Sequence, residues 1–131
     1  MNLTAHSKNR VIATFSKWDV PKDFADPIYN YLVYGWSPGS CFSAALANDF
    51  YSAIRSSHPA NTVNAFKALV GWILEYMPPQ AYGSYDKVTA WCDLSLEDRR
   101  AILEHNRLVY SSKEEVWSIL KDVPTTEPHL Y

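Results

Sequence analysis

The stretch 63–77 (VNAFKALVGWILEYM) limits the folds open to this chain more than any other, because it is apolar on nearly every side of a helix. At about 100° per residue, Val63, Phe66, Val70, Ile73 and Met77 form one face, and Ala65, Ala68, Trp72 and Tyr76 form a second. Asn64, Lys67, Gly71 and Glu75 make the polar strip. Such a helix has to be covered on two sides, either by other helices of its own domain or by a second chain. It follows the break Ser56-Ser57-His58-Pro59, starts near Ala60 and is stopped by Pro78-Pro79.

Around it the pattern predicts an all-α fold: a single compact domain of five to seven helices spanning residues 1–131. A chain of 131 residues, 47% apolar, holds one core and not two. The N-terminal arm, 1–18, stays open between two readings. Val11, Phe15 and Trp18 suit a short helix, whereas Val11, Ala13 and Phe15 suit a strand. Next comes a helix ending at Tyr34 with Gly35 just past it and Ile28, Tyr31 and Leu32 turned inward. In GWSPGSCFSAALANDFYSAIR, residues 35–55, Ser37 or Ser40 can cap, Pro38 suits a first turn, and Phe42, Leu46, Phe50 and Ala53 recur at helical spacing. Ser84 is placed to cap a short helix through Val88 and Trp91. Ser95 with Asp98, and Ser112 with Glu115, open two further helices, the last carrying Val116, Ile119 and Leu120. Pro124 ends it, and 124–131 reads as an extended tail.

Charge and composition exclude several classes. A net charge of −2 with no cluster of Lys and Arg argues against nucleic acid as a partner, since neutralising phosphates needs cations gathered on one face. No apolar run is long enough to span a membrane, and Cys41 and Cys92 lie far apart in a chain with no leader pattern, which reads as reduced thiols in the cytoplasm. His6, His58, His105 and His129 have no metal-like spacing with the cysteines, so neither a metal nor a cofactor is expected. Nine Tyr and five Trp are more rings than a small core hides readily, and some should reach an interface.

The candidate site residues lie mostly in 35–55. Projected on one continuous helix, Asp49 falls inside the apolar stripe with Phe42, Ala45, Leu46 and Ala53, which predicts a buried structural acid accepting hydrogen bonds from another segment. Asn48, Tyr51 and Arg55 fall outside the stripe. The Pro38–Ser40 helix start could hold an anion through its free N–H groups, with Gly39, Ser40, Asn48 and Arg55 as ligand-binding candidates, although one glycine is far from a phosphate-binding loop. Cys41 has no histidine placed by sequence to activate it. Glu97, Asp98, Glu114 and Glu115 complement helix starts. No catalytic set emerges, and the chain reads as a non-enzyme.

The run Gly35, Pro38, Gly39, Phe42, Ala45, Leu46, Asn48, Asp49 and Phe50, followed by Asn61 and by Gly83, Ser84, Lys87, Val88 and Trp91, resembles a family of small, mostly uncharacterised phage-encoded proteins. That family shares a Gly-x-x-Pro-Gly turn followed by a helix carrying an Asn-Asp pair. The similarity covers about residues 19–93; Ser40 stands where a second Gly is more usual, and Arg55-Ser56-Ser57 where an Arg-Ala-Asp run is. The resemblance implies an accessory protein in the host cytoplasm that binds and modulates a host protein, a defence component among the candidates. The alternative from another class is a binder of a small anionic ligand, such as a nucleotide sponge. Self-association is also expected. A homodimer would use the face of Ala65, Ala68, Trp72 and Tyr76 twice, unless the arm with Phe15 and Trp18, or the last helix with Val116 and Leu120, folds over it.

Overall fold

Seven α-helices and two single 3-10 turns make up the computed structural model, which describes residues 5–58, 61–106 and 108; no strand occurs among the described residues. The helices are α1 (Ala5–Trp18), α2 (Ala25–Tyr34), α3 (Ser40–Leu46), α4 (Phe50–Ser56), α5 (Val63–Tyr76), α6 (Tyr85–Asp93) and α7 (Leu96–His105), with 3-10 turns at Lys22–Phe24 and Pro79–Ala81. The expected last helix, opened by Ser112 and Glu115 and carrying Val116, Ile119 and Leu120, and the tail 124–131 lie outside the described residues. One core runs from Val11 to Leu108 and takes side chains from all seven helices.

The arm is helical. Its end is set by Asp19 at φ 59, with the Val20 N–H reaching back to the Phe15 carbonyl over 3.0 Å. This is the left-handed helix stop usually made by glycine. It turns α1 so that its last two turns lie along α5.

Thr62 opens α5 by accepting the Ala65 N–H, and Met77 ends it before two prolines. The helix does not bury two separate faces. Ala65, Phe66, Leu69, Trp72, Ile73 and Met77 are buried, and on a helical projection they fill one arc of about 140° centred on Leu69. Leu69 joins the inner halves of both expected faces, while Val63, at the outer edge of the first, is 56% exposed.

The expected dimer face is covered from within the chain. Trp72 is fully buried: Phe15 meets its ring edge-on with centroids 4.9 Å apart, and its indole N–H donates to Thr14 Oγ1 over 2.9 Å. Ala65 is buried, and Ala68 and Tyr76 are half-buried against the core. Lys17 reaches Glu75 at 2.9 Å and the Tyr76 hydroxyl at 3.2 Å, and the Trp18 indole donates to Glu75. This coverage has a plain cause. An arm that is a four-turn amphipathic helix supplies the rings that a partner chain would have brought.

Candidate functional site

The residues of the Gly-Pro-Gly and Asn-Asp stretch are engaged in turns and caps. Gly35 closes α2 at φ 69, and an added Cβ there would stand 2.7 Å from the Arg99 guanidinium carbon. Arg99 is buried with no acid bonded to it among the described residues. It donates to the Val33 carbonyl over 3.1 Å and to the carbonyls of Cys92 and Leu94, so the carboxyl ends of α2 and α6 supply the negative potential. Trp91 donates to the carbonyls of Tyr31 and Leu32. Gly39, at φ 91, is the residue before α3; neither Ser37 nor Ser40 caps that helix through its side chain.

The single helix expected across Phe42–Ala53 is broken at Ala47–Asp49. Asn48 takes the left-handed conformation, φ 65, that turns the chain, and Asp49 becomes the N-cap of α4, its Oδ1 accepting the Ser52 N–H at 3.2 Å. The expectation of a buried Asp49 is therefore corrected. It is partly exposed, because the break lifts it out of the apolar stripe. A donor from another segment does reach it: the Tyr85 hydroxyl, at 2.6 Å from Oδ2. That bond, aided by Ser52, holds the Asp49 carboxyl below the usual carboxylate range. Beside it, Gly83 N–H bonds the Leu46 carbonyl at 2.8 Å and Ser84 caps α6 by accepting from Lys87 N–H.

The four ligand candidates are not brought into one cavity. Gly39 lies before α3 and Asn48 past its end, with a helix about 10 Å long between them. Space beside Gly39 is open, and Ser40 is exposed. Asn48 and Arg55 line different hollows. Cys41 donates to the Ala53 carbonyl, and burial pushes both the Cys41 and Cys92 thiols up, away from the reactive thiolate. Among the described residues, no group of three or more His, Cys, Asp and Glu is gathered that could hold a metal ion, and no helix is long and apolar enough to cross a membrane.

What the chain does present is an apolar surface on the outer side of α5. Val63, Lys67, Val70 and Leu74 recur at intervals of four, three and four residues, so they line one strip about 16 Å long. Val63 is 56% and Leu74 65% exposed. On one flank a hollow of about 490 Å³ opens between this strip and the α3–α4 corner, with Ile73, Ala45 and Leu46 at its base and Phe50 and Tyr82 in its walls. On the other flank, about 660 Å³ lies between the strip and the end of α1, where Trp18 sits over Gly71; a Cβ on Gly71 would meet the indole at 2.6 Å. A third hollow, about 440 Å³, is formed by Phe50, Tyr51, Ile54, Arg55 and Val63. Phe50 is 41% and Tyr51 93% exposed.

Sequence reasoning put Val63 and Phe50 in the core and gave Leu74 no face at all. The available signal was Leu74 itself: a large apolar residue in angular line with Val63 and Lys67, on the side of α5 opposite Leu69.

Comparison with known protein families, with curated proteins and with solved structures returns no match for this chain.

Proposed function

We propose that the protein is a non-enzymatic accessory protein of the phage type, which acts in the host cytoplasm by binding a host protein and modulating it. The observation that carries the reading is the outer strip of α5 with Phe50 and Tyr51: large apolar side chains standing exposed along three helical turns, flanked by hollows. Contiguous apolar surface of this kind on a small chain marks a docking site. The engagement of Asp49 in a cap, and the raised thiols of Cys41 and Cys92, support the non-enzymatic part of the reading. The resemblance along 19–93 supports the phage origin and brings a defence component with it as the partner class.

The test is capture from a host lysate by tagged wild type and by Leu74→Glu, compared by mass spectrometry, with circular dichroism showing both folded. A host protein retained by wild type and lost from Leu74→Glu is expected. Equal retention by both overturns the reading. Nucleotide released from the purified protein on denaturation would instead favour the anionic-ligand alternative.

A further inference from the structure

We propose that the outer face of α5 receives an acidic amphipathic helix of a partner protein, lying along the Val63–Leu74 strip with its carboxylates against Lys67 and Arg55. The inference rests on the docking reading above and names the class of partner.

Shape is the first ground. The strip is straight, about 16 Å long and bordered on both sides by hollows whose bases are apolar. A rod with apolar residues at i, i+3 or i+4, and i+7 fills such a surface; this is the helix-in-groove mode of recognition.

Charge decides which rod. The chain as a whole is acidic, with 14 Asp and Glu against 12 Lys and Arg. The hollow at the α3–α4 corner, however, has Lys67 and no acid, and the Phe50–Val63 hollow has Arg55 and no acid. Asp19 is the single carboxylate lining the hollow beside the end of α1. Lys67 makes no hydrogen bond or ion pair among the described residues. Asp49, within electrostatic reach of Arg55, is held by the Tyr85 hydroxyl and the Ser52 N–H, so Lys67 and Arg55 are the cations left beside the apolar surface to meet a partner carrying carboxylates on the flanks of its apolar face.

The same charges do not favour a second copy as occupant. An isologous contact sets this patch against itself, so Lys67 and Arg55 would face the same cations, with Asp19 and the Asp49 carboxylate, already engaged by Tyr85, as the acids near them.

The experiment selects 16-residue helical peptides from a displayed library on the full-length protein, with Leu74→Glu and the double variant Lys67→Glu/Arg55→Glu as counterparts. All three positions are exposed, and circular dichroism checks each fold; Tyr51→Ala serves as a second apolar variant. The expected result is enrichment of peptides with the apolar spacing and an excess of Asp and Glu. Their binding is lost with Leu74→Glu, weakens on the order of tenfold in the double charge reversal, and falls with salt. Peptides with the spacing but no acid excess, indifferent to the charge reversal, overturn the acidic partner while leaving the docking reading standing. No enrichment, or peptides that bind Leu74→Glu as well as wild type, overturns the proposal at this face. So does pelleting with vesicles containing phosphatidylserine that Leu74→Glu abolishes, or a wild type sedimenting at twice 15.0 kDa that Leu74→Glu returns to 15.0 kDa.

Discussion

The Tyr85 hydroxyl donates to Asp49 over 2.6 Å and thereby ties the start of α6 to the start of α4. The bond lowers the Asp49 pKa and raises that of Tyr85. A carboxyl whose folded value is depressed contributes stability that is present above its unfolded value, about 3.9, and is lost as pH falls through the folded one. A tyrosine whose folded value is raised contributes below about 10 and loses the contribution as pH rises. Tyr85→Phe is therefore expected to be less stable than wild type at neutral pH, with the gap closing toward both extremes. Urea unfolding across pH, with carboxyl-carbon NMR of Asp49 moving toward the ordinary range, checks this. A gap that does not vary with pH would mean that the ring acts by packing alone.

Gly35 carries two demands at once, a left-handed backbone and room for the Arg99 guanidinium. Gly35→Ala should cost about 1–2 kcal/mol for the backbone alone, and more if Arg99 gives up bonds to its carbonyls. Asn tolerates left-handed backbone, so at an ordinary helix end it would largely replace Gly. Here Gly35→Asn should remain clearly destabilised in thermal melts. Recovery to wild-type stability would show that the guanidinium moves aside freely.

Helix ends governed by one residue's local chemistry were legible in the sequence: Gly35 past α2, and Ser84 and Ser95 as caps accepting from the N–H three residues on. The break at Asn48-Asp49 was not, because Phe42, Leu46, Phe50 and Ala53 keep helical spacing across it and only the third dimension shows Tyr85 drawing Asp49 outward. The arm was ambiguous for want of length, and Thr14 and Trp72 settled it by pairing across 58 residues. The site was missed because apolar periodicity reports which residues could be buried and not whether the fold has enough other helices to bury them.

Trp72 is where coverage within the chain and coverage by a partner chain make opposite predictions. With its ring fully buried against Phe15 and its N–H on Thr14, Trp72→Glu places a charge in the core, and the expected outcome is loss of cooperative unfolding. Trp72→Phe keeps the ring contact and loses the hydrogen bond, at about 1–2 kcal/mol. Circular dichroism and light scattering read both. A folded Trp72→Glu monomer arising from a wild-type dimer would mean that α1 does not close this face in solution.

Ile73 and Leu74 are adjacent on α5 and should answer in opposite ways. Ile73 is 3% exposed at the base of the hollow beside α3, whereas Leu74, one residue and about 100° on, is 65% exposed at its rim. Ile73→Ala removes buried methylenes and should cost about 2–5 kcal/mol. Leu74→Ser removes a side chain that water already reaches, so its effect should stay within about 0.5 kcal/mol. If the strip is a docking surface, Leu74→Ser should also reduce dye binding to exposed apolar surface and slow aggregation at high concentration, which Ile73→Ala would worsen. Urea titrations on the two variants decide the matter. A Leu74→Ser variant as damaged as Ile73→Ala would show that the rest of this chain covers the strip in solution, and the surface would then be core.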